Sequence, residues 1–253
     1  MAIEKVKTGI QGLDKALEGG IPKNNVVLVS GGAGTGKSTL CMQYLINGAK
    51  LFGEKGLYIS TEQKRKELIK AGSNYGWDIE GLEQRNLLKI EYFDVVASDN
   101  ALEKIYDLYT SFTPQRIVLD SLTTFTDSLL VSGMREDTAF SMVQVAESVS
   151  PIPRTEKVVA KSLLYHLMNK IRLFDATVIL TSELPEKSNY LSADNISEFI
   201  CDGVMVLEYL SVGASVFRSM RIRKMRYTNH EKGSLPYELG PKGVNFTEKD
   251  LEI

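Results

Sequence analysis

Short apolar runs and segments with helical spacing alternate along most of the chain. The apolar runs cover residues 25–30, 57–61, 87–93, 116–120 and 177–182. Runs of this length without polar alternation are typical of strands buried on both faces of a parallel sheet. Between these runs, apolar residues recur at helical spacing over 64–75, 102–109 and 158–174. The alternation predicts an α/β fold with a mainly parallel central sheet flanked by helices.

The two ends of the chain carry shorter elements. Residues 8–22 predict a short helix around 13–17 that Gly19 and Gly20 close and Pro22 stops. Residues 204–209 and 215–226 predict a C-terminal antiparallel hairpin, and Tyr237 with 244–246 predicts a last pair of small strands. From 125 to 160 the pattern is weak. A helix at 137–149 and a proline-punctuated loop after it are the expectation there.

A glycine-rich loop joins the first buried run to a helix that begins near Lys37. Residues 31–38 spell G-x-x-x-x-G-K-S. Backbone N–H groups of such a loop can surround an anion, and the positive end of the helix dipole adds to the attraction. Lys37 is placed to reach the β- and γ-phosphates, and the Ser38 hydroxyl to ligate Mg²⁺. The predicted nucleotide-binding residues are Gly32, Gly34, Thr35, Gly36, Lys37, Ser38 and Thr39. A turn that merely joins a strand to a helix needs neither the Lys-Ser pair nor this density of glycine.

Acidic residues follow two of the predicted strands. Asp120 ends RIVLD, a Walker B pattern in which the aspartate holds Mg²⁺ through water, and Ser121 could hydrogen-bond that shell. Glu62 follows the second strand, where a carboxylate could orient or deprotonate the attacking water. An acid that only stabilises a helix N-terminus is an equally open interpretation of Glu62. At the tip of the strand over 177–182, the candidate γ-phosphate sensors are Thr181, Ser182 and Glu183.

Composition narrows the class of protein. The chain has 253 residues, of which 43% are hydrophobic and 25% charged, which predicts one globular domain. A net charge of −2 argues against a surface that attracts nucleic acid as a whole. Cys41 and Cys201 are not spaced like metal ligands, so we expect both to be reduced and buried in the core. No apolar run is long enough to cross a bilayer and the N-terminus has no signal-peptide core, so the expected location is the cytoplasm.

The second strand of the predicted hairpin is strongly basic. Its basic residues are Arg218, Arg221, Arg223, Lys224 and Arg226. Three interpretations stay open on physical grounds alone. The residues could form a solvated strand face, a patch that tracks a nucleic-acid backbone, or a cationic finger inserted into the phosphate site of a neighbouring subunit.

Several motifs together resemble KaiC-type ATPases of the RecA superfamily. They are TGIQGLDKALEGGIP, GGAGTGKST, YISTEQ, NYGWD, VLDS and KMRYTNH. The resemblance spans nearly the whole chain as a single domain, 1–253, without an internal repeat. Its most specific parts are TG-x-x-GLD…GGIP and the late K-x-R-x-T-x-H, since neither follows from a generic phosphate-binding loop.

The resemblance implies a RecA-like P-loop ATPase that binds ATP or ADP with Mg²⁺ between the subunits of a ring, typically a homohexamer. It implies that Glu62 is the catalytic glutamate and that Asn74 touches the base or ribose. The positions implied beside the neighbour's nucleotide are the finger residues Lys224 and Arg226, with Thr228 and His230. Nucleotide state would then govern ring assembly or the binding of a protein partner.

Three positions depart from the family pattern. Gln63 follows Glu62 where the family often has a second glutamate, which leaves the hydrolysis rate open. Ser197 precedes Glu198 where autophosphorylating domains carry a Ser-Thr pair, which argues against an autokinase cycle. Residues 132–157 look longer than the usual connection and predict a variable insertion with a partner-specific surface. The alternative functions are a nucleotide-binding scaffold with negligible turnover and a recombinase-related accessory factor that binds single-stranded DNA.

Overall fold

The computed structural model describes residues 3–94, 101–133, 156–186, 188–213 and 215–247. Its strands are β1 (Lys5–Val6), β2 (Ile21–Pro22), β3 (Val26–Gly31), β4 (Gly56–Ser60), β5 (Leu88–Tyr92), β6 (Arg116–Asp120), β7 (Thr177–Glu183), β8 (Gly203–Val212), β9 (Ser215–Met225), β10 (Leu235–Gly240) and β11 (Gly243–Phe246). Its helices are α1 (Leu13–Ala16), α2 (Lys37–Phe52), α3 (Arg65–Ser73), α4 (Ile79–Gln84), α5 (Ala101–Phe112), α6 (Leu122–Gly133), α7 (Glu156–Ile171) and α8 (Ser197–Ile200).

One large mixed sheet organises the described ranges. Its strand order is β11-β10-β9-β8-β3-β7-β6-β4-β5. The strands from β8 to β5 in that order run parallel to one another, whereas β8, β9, β10 and β11 pair antiparallel in succession. The predicted α/β class, with a mainly parallel sheet and a C-terminal antiparallel hairpin, is confirmed.

The sheet is buried on both faces, which explains why its strands read as unbroken apolar runs. Every residue of β3, β4 and β6 is buried. On one face Val118 belongs to a core that includes Leu45 of α2, and on the other Leu119 belongs to a core that includes Phe125 of α6 and Leu164 of α7. Burial of each such side chain stabilises the fold by about 1.5–3 kcal/mol.

The parallel strands bring several chain segments to one edge of the sheet. In register, Gly31 of β3 lies beside Glu183 of β7, and Ser60 of β4 lies beside Asp120 of β6. We call this side, where β3, β4, β6 and β7 end, the carboxyl edge. The opposite side, where these strands begin, is the amino edge. The glycine-rich loop and both acidic strand tips therefore share the carboxyl edge, as expected for an open α/β sheet.

Short elements differ most from the sequence expectations. Pro22, expected only to stop a helix, ends β2, which pairs with β1. Gly20 allows this approach because it has φ 133°, and a Cβ there would lie 2.3 Å from the carbonyl oxygen of Val6. Helix α4, capped by Asp78, was not predicted, since its six residues are too few for a periodic signal. The helix expected at 158–174 begins at Glu156 and ends at Ile171.

Other expectations concern single residues and ranges outside the described part of the chain. Cys41 and Cys201 are buried and unpaired, which confirms them as core thiols. The helix expected at 137–149 lies outside the described residues, as does nearly all of the expected insertion at 132–157. Within the described ranges, no helix is both long and apolar enough to span a membrane.

Candidate nucleotide-binding site

The glycine-rich loop turns from β3 into α2 at the carboxyl edge. Gly34 and Gly36 have backbone φ angles of 72° and 98°, which residues other than glycine rarely adopt. The hydroxyl of Tyr209 donates to the carbonyl of Gly34 at 2.7 Å, and that of Tyr237 donates to the carbonyl of Thr35 at 2.5 Å. Because the C=O and the following N–H of a trans peptide point in opposite directions, these bonds turn the next two N–H groups away from the tyrosines. The loop is thereby shaped to present N–H groups to an anion.

Lys37 is buried at the mouth of this loop. Its ammonium donates to the carbonyls of Gly31 and Gly32 at 2.9 and 3.1 Å. The Glu183 carboxylate lies 3.7 Å from the same nitrogen. A buried ammonium is costly unless it is partnered, so these three groups hold the charge beside the loop until an anion can replace some of them. Glu183 was expected as a phosphate sensor, and it contacts the lysine.

The Asp120 carboxylate is buried and accepts two hydrogen bonds from hydroxyl groups. The Tyr58 hydroxyl donates to Oδ2 and the Thr181 hydroxyl to Oδ1, both at 2.5 Å. Ser38 is half-buried at the start of α2 on the same face of the sheet. A hydroxyl and a carboxylate are the hard oxygen donors that Mg²⁺ prefers, so the residues present fit that ion.

Tyr58 has a strongly perturbed environment. Burial is the main cause that raises the pKa of its hydroxyl well above its usual value, and the nearby charge of Asp120 adds to this. The Ser38 hydroxyl partly counters the shift through hydrogen bonding. Tyr58 therefore stays a neutral hydrogen-bond donor to Asp120.

Glu62 is exposed, but hydroxyl groups hold its carboxylate. Its Oε1 accepts from Ser121 Oγ at 2.5 Å and from Thr124 Oγ1 at 2.9 Å. Ser121, which the sequence placed as a possible hydrogen-bond partner of the metal shell, donates to Glu62. Its backbone N–H is in turn held by Thr61 Oγ1 at 2.9 Å. The carboxylate is thus fixed at the carboxyl edge, just after β4, the strand that pairs with the Asp120 strand β6.

The C-terminal half of the basic strand lies at the amino edge of the sheet. Lys224 donates to the carbonyls of Glu198, Phe199 and Cys201 at 3.1, 3.2 and 2.6 Å, around the end of α8. Burial, and then the charge of Arg226, lowers the pKa of Lys224. Arg226 pairs with Asp202 at 2.6 Å, and the backbone N–H of Asp202 donates to the first residue of β3.

A family model described as ATPase KaiC matches residues 6–251 of the chain.

The chain belongs to the KaiC family of ATPases.

Among its relatives are the circadian clock oscillator proteins KaiC of Nostoc sp., 27% identical over 96% of this chain, and of Synechococcus elongatus, 28% identical over 97%. In both cases the match covers 44% of the relative, so this chain spans less than half the length of these clock proteins. A crystal structure of a KaiC-like protein from Pyrococcus horikoshii has a TM-score of 0.79 and 31% identity. It covers 97% of this chain and 99% of that one.

The KaiC resemblance implies that three further residues lie near a bound nucleotide, and none of them is bonded to the glycine-rich loop in the described ranges. Asn74 is exposed at the end of α3, and the His230 ring contacts the carbonyl of Glu231 at 2.7 Å. The Thr228 hydroxyl is buried and has no hydrogen-bond partner in the described ranges. No hydrogen bond between described residues joins any of the three to the glycine-rich loop, so their roles stay predictions.

Ser197, where the resemblance argued against an autokinase cycle, is fully buried. Its hydroxyl donates to Asp194 at 2.6 Å, and its N–H donates to the same carboxylate. A phosphoryl group could reach this oxygen only after the local contacts open.

The sequence did not identify the tyrosines that hold the loop and Asp120. Tyr209, Tyr237 and Tyr58 read as ordinary strand residues, and Arg218 was counted only as part of the basic strand. Arg218 in fact stacks over Tyr209, 5.3 Å from its ring centre, with its guanidinium 3.4 Å from the Gly34 carbonyl. Tyr209 and Arg218 lie opposite each other on the two strands of the hairpin. Predicting the register of the hairpin from the sequence would therefore have predicted this contact.

Proposed function

We propose that this chain is a Mg²⁺-dependent ATPase of KaiC type whose sites lie between the copies of a homo-oligomeric ring. The loop N–H groups and Lys37 bind the phosphates, and Ser38 and Asp120 hold the metal. Glu62 orients the attacking water. When bound, Mg²⁺ supplies positive charge that neutralises the phosphates. Lys224 and Arg226 of the adjoining copy stabilise the charge that develops on the transferred group.

One observation carries the interfacial part of this proposal. Lys224 and Arg226 lie at the amino edge, beside the start of β3, while the phosphate loop begins where β3 ends. Five residue steps of roughly 3.3 Å separate Val26 from Gly31, about 17 Å in all. This span exceeds the reach of either side chain to its own loop. A finger formed by these two side chains can therefore serve only the site of another copy.

The partners of the basic strand also favour this function over nucleic-acid binding. Arg218 contacts the loop, Arg221 pairs with Glu208 at 2.7 Å, and Arg226 pairs with Asp202. The charges are thus divided among separate local contacts, whereas a backbone-tracking groove needs a continuous basic stripe.

We extend the proposal to the whole chain as one domain, 1–253, with residues 132–157 as a variable insertion. A ring of KaiC type, hexameric by resemblance, would bury the amino edge of one copy against the carboxyl edge of the next. This heterologous contact closes into a ring when the rotation permits.

Phosphate release by the wild type and by Glu62→Gln tests the enzymatic proposal. We expect slow but measurable hydrolysis that falls roughly 100-fold or more in the variant, because a positioned carboxylate typically contributes at least that factor. Nucleotide affinity should stay unchanged. Glu80→Gln, on the exposed face of α4, is the matched control. Equal background rates for wild type and Glu62→Gln would favour the nucleotide-binding scaffold.

A further inference from the structure

The Asp120 carboxylate is held by an unusual pair of neutral donors. Each of its oxygens accepts one hydroxyl hydrogen bond, Oδ2 from Tyr58 and Oδ1 from Thr181. Tyr58 and Thr181 have no measurable exposure, and Asp120 is 6% exposed. Two donors on two different oxygens fix both the position and the plane of the carboxylate group.

The sheet register explains how Tyr58 reaches this carboxylate. Tyr58 lies opposite Val118, and Ser60 lies opposite Asp120, in the parallel β4–β6 pair. Tyr58 and Asp120 therefore lie on the same face of the sheet, two residues apart along the strands. The tyrosine ring spans that gap toward the carboxyl edge, and its hydroxyl donates to Asp120.

We propose that Tyr58 is a positioning residue of the metal site, whose hydroxyl aims the Asp120 carboxylate at the bound cation. This inference rests on the proposed function, because it takes Asp120 as the metal-binding acid. Tyr58 contacts neither the phosphates nor the attacking water in this scheme. It acts through Asp120, with Thr181 as the second positioning residue.

The physical reason lies in the remaining lone pairs of the carboxylate. With one hydroxyl on each oxygen, each oxygen keeps a second lone pair, which can accept from a metal-bound water. Without the Tyr58 hydroxyl, Oδ2 loses its buried donor and the carboxylate regains freedom to rotate. Residues that orient a metal ligand typically change metal affinity about 10- to 100-fold when they are replaced.

Calorimetric titration of ADP over a series of Mg²⁺ concentrations, and in EDTA, tests the proposal. The proteins are wild type, Tyr58→Phe and Thr181→Val, each checked for folding by circular dichroism. Tyr44→Phe is the matched control, because Tyr44 is equally buried and its hydroxyl has no partner in the described part of the chain.

Mg²⁺ should increase the affinity of the wild type for ADP. We expect Tyr58→Phe and Thr181→Val to raise the Mg²⁺ concentration that gives half of this increase by about tenfold or more. Their affinity for ADP in EDTA should stay within about twofold of wild type, as should all values for Tyr44→Phe. An equal loss of affinity with and without Mg²⁺, or no change in the Mg²⁺ requirement, overturns the role of Tyr58. A wild type that binds ADP equally well in EDTA and in Mg²⁺ overturns the metal site of the proposed function itself.

Discussion

At the scale of single residues, the site is built from hydroxyl groups as much as from charges. Glu62, Asp120 and the loop carbonyls all accept hydrogen bonds from serine, threonine or tyrosine side chains. Neutral donors orient a carboxylate without cancelling its charge, which leaves the carboxylate able to attract a cation or activate a water. The candidate chemistry therefore depends on residues that carry no charge of their own.

Thr124 provides a direct test of this view. Thr124→Val removes one donor from Glu62, so we expect kcat for ATP to fall roughly three- to tenfold with little change in KM. Thr124→Ser should restore the rate. Thr126→Val is the control on the same helix, because within the described ranges the Thr126 hydroxyl bonds only to backbone carbonyls, at 3.0 and 2.9 Å. A rise in KM without a fall in kcat would contradict a positioning role.

The motif residues could be predicted from sequence, but the distant hydroxyl groups that hold them could not. Lys37, Ser38 and Asp120 belong to motifs whose spacing reflects local geometry. Tyr58 and Thr124 reach their acceptors from 62 positions away in the chain. No local pattern encodes such a contact, because it depends on which strands become neighbours.

At the scale of elements, Arg116 at the start of β6 links three parts of the fold. It is fully buried and pairs with Glu54 at 2.5 Å, while its other nitrogens donate to the carbonyls of Tyr44 and Lys7. Gly48 makes room for it, since a Cβ there would lie 2.5 Å from Arg116 Nε. The residue thus fastens the N-terminal segment and α2 to the central sheet.

Arg116→Met should lower the free energy of unfolding by about 3 kcal/mol or more, because it leaves buried carbonyls and Glu54 without their partner. Chemical denaturation measures the change. Arg65→Met is the control, since Arg65 makes a comparable 2.5 Å pair with Glu83 but is 45% exposed. Its loss should cost less than about 1 kcal/mol. Similar losses for both variants would contradict the structural role of Arg116.

The long strands and helices could be predicted from the sequence, whereas the shortest ones could not. The strands β3, β6 and β7 were predicted nearly to the residue, because strands buried on both faces leave continuous apolar runs. Strands β1 and β2 have only two residues each, and their pairing depends on Gly20. Such elements exist through tertiary contacts and leave no periodic signal.

At the scale of the whole molecule, the two edges of the sheet divide the proposed chemistry. The carboxyl edge carries Lys37, Asp120 and Glu62, and the amino edge carries Lys224 and Arg226. In this account neither edge is sufficient alone. Stacking one copy's amino edge on the next copy's carboxyl edge would complete each site, which makes hydrolysis a property of the assembly.

Mixing two inactive variants measures this division most directly. Glu62→Gln and Arg226→Ala subunits would be combined before Mg²⁺ and ATP are added, and phosphate release compared with that of each variant alone. Each variant alone should be near background. In an equal random mixture, a quarter of the interfaces join an intact Glu62 to an intact Arg226, so about a quarter of wild-type activity should return. A mixture no faster than the average of its two components would contradict a site shared between neighbouring copies.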